Sequence, residues 1–326
     1  LLTGHPDVEL AYLTSEMFQG QNIAEVFPSL NRVVDLTLQP LDDSITKDCS
    51  VLFLALPHLA VMDKLPIYLQ SDCKIIDLSA DYRLKDPKAY SHWYSVTHTH
   101  PDLLRHAVYG LPELYREAIQ TARFIANPGC YPTSVILALA PLLKTGWVDL
   151  DSIISDSKSG VSGAGRKPSL TTHYTEVNEG ISPYGLGSHR HTPEMEQELS
   201  VLAGKPIHLT FSPHLVPMTR GMLSTVYINL KKAISDERLV EHYRNFYKDE
   251  HFVRVLNPGK FASSNNVLSS NFCDIGLKVD LRNQRIIITS ALDNLIKGAS
   301  GQAVQNMNIM LGLNEKTGIM SPAIYP

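Results

Sequence analysis

The sequence predicts an α/β fold: a doubly wound parallel sheet joined to an α+β unit built on a mixed sheet. Two observations carry this. In the first part, short apolar runs at 8–13, 50–56 and 74–78 alternate with helical stretches, as strands and crossover helices do in a parallel sheet. After Gly146 the runs at 153–157, 207–212, 223–229, 274–279 and 286–292 alternate polar with apolar or are β-branched, which fits a mixed or antiparallel sheet.

In chain order, Leu1-Leu2-Thr3-Gly4-His5-Pro6 reads as the end of a helix, with Gly4 as cap and Pro6 beyond it. Strand 8–13 ends in Thr14-Ser15. Strand 50–56 is closed by Pro57-His58, and a helix fills 59–69. Strand 74–78 ends in Ser79-Ala80-Asp81-Tyr82-Arg83. Ligands of such sheets bind outside the carboxyl ends of the strands, so these three polar ends are the candidate binding edge. Residues 84–112, rich in His, Tyr and Pro without a clear period, read as irregular, with a turn at 109–113. Strand 124–126 leads into Asn127-Pro128-Gly129-Cys130-Tyr131-Pro132-Thr133-Ser134. Beyond 153–157 comes a small-residue loop, 159–166, whose successive N–H groups could cradle an anion. A helix covers 236–247, and the last helix, 294–311, carries Gly298, Ala299, Ser300, Gly301 and Ala303. Residues 1–129 with 294–326 are expected to form one domain, and 130–293 the other.

Bulk properties exclude several classes. The 326 residues are 44% hydrophobic and 19% charged, with a formal net charge of −4, an ordinary globular composition. No basic stripe suits nucleic acid, and no run approaches a membrane span. The start lacks a signal-peptide pattern, so a cytoplasmic setting is expected. Cys49, Cys73, Cys130 and Cys273 are far apart and form no CxxC pair, so neither a disulfide framework nor a zinc knuckle is indicated.

The chemistry centres on Cys130. Pro128 and Gly129 allow a sharp turn, and Pro132 suits the first turn of the apolar helix that follows. Cys130 thus sits at or just before a helix N-terminus, where free N–H groups and the helix dipole favour an anion. A thiol there is expected to ionise more easily, and the thiolate is the nucleophile. A small buried hydrophobe is the competing reading.

Five stretches together resemble the N-acetyl-γ-glutamyl-phosphate reductase family: 127–133, Ser-Gly-Val-Ser-Gly-Ala-Gly-Arg at 159–166, His-Arg-His-Thr-Pro-Glu at 189–194, Asp-Leu-Ser-Ala-Asp-Tyr-Arg-Leu at 77–84 and Asp-Asn-Leu-Ile-Lys-Gly-Ala at 293–299. The resemblance runs from about residue 8 to 311 in order. It implies a Rossmann-type nucleotide domain, a catalytic and dimerisation domain, and NADP-linked reduction of an acyl phosphate through a cysteine thioester in arginine biosynthesis. By the same resemblance Cys130 is the nucleophile, His189 the general acid/base, and His191 a substrate contact. Arg83 would bind the phosphate, with Arg220 and Arg166 as weaker anion contacts; Arg190 is a substrate contact or equally a structural ion-pair partner, and Tyr184, one short loop before His189, is a substrate-pocket candidate. Ser15, Pro57, His58, Ser79, Ser159, Ser162, Gly163 and Asn294 would line the cofactor. A homodimer or homotetramer is expected. An HxH pair could hold a metal if both rings projected from one strand face, but no third ligand stands at suitable spacing, so no metal is expected. The family begins with a strand and a Gly-rich turn, and the chain as given begins after that unit. A reductase of aspartyl or carrier-linked aminoadipyl phosphate is the alternative within the class. A catalytically silent relative is the alternative outside it, and intact Cys130 and His189 argue against that.

Overall fold

The computed structural model describes residues 1–324, so the last two residues of the expected segment 294–326 lie outside the described residues. The first apolar runs form a four-stranded, all-parallel sheet in the order β1-β2-β4-β3: β1 (Val51–Leu54), β2 (Lys74–Asp77), β3 (Val108–Tyr109) and β4 (Phe124–Ala126). Helices α1 (Ile23–Val26), α2 (Ala60–Tyr68), α3 (Pro87–Tyr94) and α4 (Pro112–Thr121) lie between or beside the strands. The apolar side chains of β1, β2 and β4 pack with Val61, Leu65 and Tyr68 of α2, which gives the sheet one of its cores.

Several expectations fail here for physical reasons. Residues 8–13 form no strand; Thr14 makes a lone parallel bridge to Gln39. A strand needs a neighbour for its N–H and C=O groups, and this segment instead faces an open groove of about 710 Å³ whose far wall is residues 50–56. At the chain start Gly4 lies inside the short 3₁₀ turn Leu2–Gly4 and caps no α-helix. Residues 84–112 are not irregular throughout. Asp86 caps α3, Pro87 occupies its first turn, and Tyr90 is buried beneath a stack with Tyr94. The expected turn at 109–113 is the end of β3 and the start of α4.

The second sheet has seven strands in the order β6-β7-β5-β8-β11-β10-β9, and is mixed as the pattern predicts. Its strands are β5 (Val148–Gly160), β6 (Ser182–Pro183), β7 (Thr210–Val216), β8 (Met222–Leu230), β9 (Val253–Val255), β10 (Cys273–Asp280) and β11 (Arg285–Leu292). The expected strand 153–157 is the middle of β5, which shifts register between Asp149 and Ile154. β5 also takes in Ser159 and Gly160, so the small-residue loop is shorter than expected and its centre is a 3₁₀ turn, Val161–Ala164. The remaining helices are α5 (Cys130–Leu139), α6 (Tyr174–Val177), α7 (Thr192–Ala203), α8 (Asp236–Phe246) and α9 (Gly301–Met310).

Helix α5 lies on the inner face of the mixed sheet and is buried from Tyr131 to Leu139. Small hydroxyl side chains allow the approach. Ser134 of α5 meets Ser224 of β8 and Ser290 of β11 at 2.9 and 3.1 Å between hydroxyl oxygens. The expected last helix is broken: a π-helical turn, Ile296–Ser300, precedes α9. Ala303, Val304 and Met307 of α9 pack with Ile76 of β2 and Ile125 of β4, returning the chain end to the parallel sheet. Among the described residues no helix is long and apolar enough to cross a membrane.

Candidate active site

The site grows from the carboxyl end of β4. Asn127 donates its backbone N–H to Asp77 O at 2.8 Å and its side-chain amide to Ala299 O at 3.1 Å, so the turn is tied to both β2 and the π-helical turn. Gly129 is the N-cap of α5 and has no side chain to cap it. The first N–H groups of the helix stay free for an anion, and those of Cys130 and Tyr131 point at the Cys130 sulfur.

Burial nevertheless dominates the thiol. It pushes Cys130 up to about 11, with Glu194 adding to the rise, while the Tyr131 and Cys130 N–H groups and Arg83 pull the other way. The helix end thus favours the thiolate while burial of this partly exposed residue opposes it. Alkylation of Cys130 should then rise about tenfold per pH unit between pH 7 and 9, since the thiolate fraction limits it. Mass spectrometry of the Cys130 peptide reads that slope, and a plateau by pH 8 would contradict it.

Arg83 follows β2 and is 6% exposed. One guanidinium nitrogen donates to Leu78 O at 2.9 Å and another meets Glu194 Oε2 at 3.4 Å. Its Nε is buried with no hydrogen-bond partner. His191 ends the loop before α7, and Gly129 is what lets it and Arg83 in. A Cβ there would stand 2.6 Å from His191 Nε2 and 2.9 Å from Arg83 Nη1.

His189 packs edge-on against Tyr131, Tyr184, His191 and Phe211. Burial, and then Arg190, push it down to about 4, so the ring is neutral at pH 7. Its Nδ1 accepts the His191 backbone N–H at 3.0 Å, which leaves Nε2 as the nitrogen that carries the proton. His191 is pushed down for the same first cause, burial, and its buried Nδ1 has no partner. Both residues stand in a turn, not on a strand, so the HxH argument for a metal does not apply. Among the described residues no three His, Cys, Asp or Glu side chains assemble as a metal site.

The other expected residues fall into distinct groups. His58 has its Nδ1 fixed as acceptor of the Ala80 N–H at 3.2 Å, and burial, Arg190 and Arg83 all lower its pKa. It therefore shares the space of the two arginines, with Pro57 exposed beside it. Arg190 is itself exposed and lies over the Tyr94 ring at 5.5 Å. Tyr184 donates its hydroxyl to that of Tyr131 at 3.1 Å. Ser79 holds the buried Asp77 carboxylate through its N–H and hydroxyl. Ser159, Ser162, Gly163 and Asn294 do come together. Asn294 donates to Ser162 Oγ at 3.0 Å and accepts the Gly221 N–H at 2.7 Å, and a Cβ on Gly163 would reach Ser159 Oγ at 2.6 Å. Ser15 lies next to the Thr14 bridge, its hydroxyl accepting the Phe18 N–H. Arg220 pairs with Asp293 through its Nε and one terminal nitrogen, at 2.9 and 3.1 Å, and its side chain is 29% exposed. Arg166 is exposed over the Phe27 ring.

Sequence reasoning missed Glu194. It is 1% exposed, accepts the Gly129 N–H and the Tyr109 hydroxyl at 2.8 Å each, and pairs with Arg83. The available signal was Glu194 and Glu198 four apart on one helical face, which here points inward.

Comparison with known proteins agrees with this geometry. Residues 1–122 match the profile of the semialdehyde dehydrogenase NAD binding domain, and 130–294 that of its dimerisation domain. The N-acetyl-gamma-glutamyl-phosphate reductases of Geotalea daltonii and Desulforamulus reducens are 54% and 52% identical over all of this chain and 94% of their own lengths. Among solved structures, aspartate semialdehyde dehydrogenase II of Vibrio cholerae superposes with a TM-score of 0.70 at 18% identity, over 94% of this chain and 91% of that one. The Candida albicans aspartate semialdehyde dehydrogenase with NADP gives 0.64 at 14% identity, over 95% and 93%. These two share the fold. With both domain profiles matched in order and more than half the residues identical to a full-length relative, the chain belongs to the N-acetyl-γ-glutamyl-phosphate reductases of the semialdehyde dehydrogenase family.

Proposed function

We propose that the chain reduces N-acetyl-γ-glutamyl phosphate to N-acetylglutamate 5-semialdehyde and phosphate with NADPH, in arginine biosynthesis in the cytoplasm. The observation that carries this reading is the meeting of Arg83 and His191 on Gly129, one residue before Cys130. A cysteine at a helix start with a guanidinium beside the preceding residue suits an acyl group that leaves a phosphate behind.

Cys130 sulfur attacks the acyl carbon and phosphate departs, leaving a thioester. Arg83 holds the phosphate oxygens, while the first N–H groups of α5, which point at the Cys130 sulfur, favour the thiolate. His189 is the general acid/base that moves the thiol proton, and His191 contacts the substrate. His189 Nε2–H donates to the acyl oxygen as negative charge develops there. The nicotinamide, when bound, supplies the hydride that reduces the thioester. Collapse of the resulting thiohemiacetal frees the aldehyde and the sulfur.

The residues around Asn294 fit a nicotinamide. Ser162 Oγ already accepts from Asn294, so its own hydrogen is free to donate to a carboxamide carbonyl. Ser159 and Gly163 would shape that side of the pocket, with Pro57, His58, Ser79 and Ser15 toward the dinucleotide. Tyr184, Arg190 and His191 would line the substrate side. The division into 1–129 with 294–326 and 130–293 is part of the same reading, as is a homodimer or homotetramer built on the mixed sheet.

Phosphate-dependent oxidation of N-acetylglutamate semialdehyde with NADP tests the activity, with aspartate semialdehyde and NAD as comparisons. No turnover of the first substrate, or faster turnover of the aspartate compound, would sink the reading. Arg83→Ala should raise the phosphate KM roughly ten- to a hundredfold, because a charged hydrogen bond contributes about 1.5–3 kcal/mol. The NADP KM should stay put. A raised NADP KM with unchanged phosphate KM would move Arg83 to the cofactor.

A further inference from the structure

Among the described residues one lysine is completely buried, and nothing in the reaction above uses it. Lys297 is 0% exposed and sits in the π-helical turn Ile296–Ser300. Its ammonium donates to Glu113 Oε1 at 2.5 Å and to Gln305 Oε1 at 2.9 Å, and lies 5.9 Å from the centre of the Phe252 ring. Glu113 is 8% exposed, in the first turn of α4. The pair therefore links an early helix of the chain to a turn near its end.

That turn forms the wall behind the nucleophile. Gly298, the residue after Lys297, packs directly on Cys130: a Cβ there would fall 2.7 Å from Cys130 Cβ and 3.2 Å from its Cα. The next residue, Ala299, supplies the carbonyl that takes the Asn127 side-chain amide. Both flanks of the Cys130 turn thus rest on residues 298 and 299. The turn is held at its start by Asp293, whose carbonyl accepts the Gly298 N–H at 2.9 Å and whose carboxylate is fixed by Arg220. Its middle is held by Lys297. A π-helical turn lacks the regular i−4 ladder and occurs often at functional sites, so an outside anchor has more to fix here than in an α-helix.

We propose that the buried Glu113–Lys297 pair positions Cys130, by setting how closely the turn at 298–299 presses on it. The proposal rests on the assignment of Cys130 as nucleophile. Energetics favour a positioning role over a purely stabilising one. A buried ion pair can often be replaced by apolar residues of similar size without loss of stability, whereas removing one partner alone is strongly destabilising. Retaining the pair makes sense if its directional geometry, which an apolar pair cannot reproduce, is what the site needs.

Three variants test this, each read by melting temperature, by the rate of Cys130 alkylation without substrate or cofactor, and by kcat and KM. Lys297→Met alone should melt roughly 10 °C lower, from the unpaired Glu113. The double replacement Glu113→Leu with Lys297→Met should regain most of that loss. Its kcat should nevertheless stay down about a hundredfold, the scale of an ångström-sized misplacement, with KM for phosphate and NADP within about twofold. The double variant's alkylation rate at fixed pH should also differ from the parent's by about fivefold or more, as the wall against the sulfur moves. Regaining both stability and parent kcat would overturn the proposal, because activity would then merely follow the fold. Should the double variant not fold, the near-isosteric Glu113→Gln decides: a tenfold or larger loss of kcat supports positioning, and parent kcat with the parent alkylation rate overturns it. The alkylation arm needs no substrate, so a parent protein that turns over nothing would reject the assigned reaction while leaving the packing claim to be judged on its own.

Discussion

Cys130→Ser should remove phosphate-dependent turnover, by at least about 10⁴-fold in kcat, while leaving the melting temperature within about 2 °C of the parent. The loss is large because the reaction has no other route. A serine hydroxyl has far too little alkoxide at neutral pH, and the surroundings of Cys130 disfavour a charge even on the more acidic thiol, which burial pushes up to about 11. The other cysteines lie elsewhere: Cys49 lines the groove between residues 7–14 and 50–56. Cys73 is buried with its thiol on Lys74 O, and Cys273 sits in β10 against Ser290. The fold should tolerate the change, because serine is nearly isosteric and can donate within the same turn. Steady-state kinetics and thermal melts of the purified variant check both halves. Residual turnover near the parent rate would end the covalent mechanism.

The parts of the site visible in the sequence are those written locally. Pro128, Gly129 and Pro132 specify a turn and a helix start within a few residues, and α5 begins at Cys130 as they predict. β8 alternates buried and half-exposed residues over most of its length, and β11 over its first half, so their type and position were readable. What failed depends on partners far along the chain. Residues 8–13 have strand composition, but a strand is made by its neighbour. α4 and α7 turn Glu113, Glu194 and Glu198 inward, toward Lys297, Arg83 and Tyr115, which breaks the apolar pattern that reveals a helix. Arg220 displayed its charge in the sequence but not its pairing with Asp293. The same division explains the thiol. The helix N-terminus that favours the thiolate is local, while the burial that opposes it comes in part from Gly298, which packs on Cys130 from the other end of the chain.

Gly129→Ala is expected to cost about 10²–10³-fold in kcat/KM with only a few degrees lost in melting temperature. The backbone gives no reason for a glycine here: φ is −70° and ψ 157°, which any L-residue adopts. The reason is spatial. A methyl group would arrive 2.6 Å from His191 Nε2, 2.8 Å from its Cε1 and 2.9 Å from Arg83 Nη1, well inside contact distance. Neither neighbour can give way freely. Arg83 is held by Leu78 O and Glu194, and Glu194 in turn holds the Gly129 N–H. His191 is packed edge-on between His189 and Tyr131. The strain therefore spreads into the proposed phosphate contact Arg83, the His191 ring and the turn before Cys130 together, and misplacement of about 1 Å alone is worth about 10²-fold. Stability should suffer less, because overpacking of this size typically costs about 1–3 kcal/mol in a large chain. Kinetics with phosphate and NADP varied separately, beside a thermal melt, distinguish the two. The phosphate KM should rise together with the fall in kcat, whereas the NADP KM should hold. Parent-like kcat/KM would mean that Arg83 and His191 do not need their present places beside Gly129, and the phosphate site drawn around them would have to be redrawn.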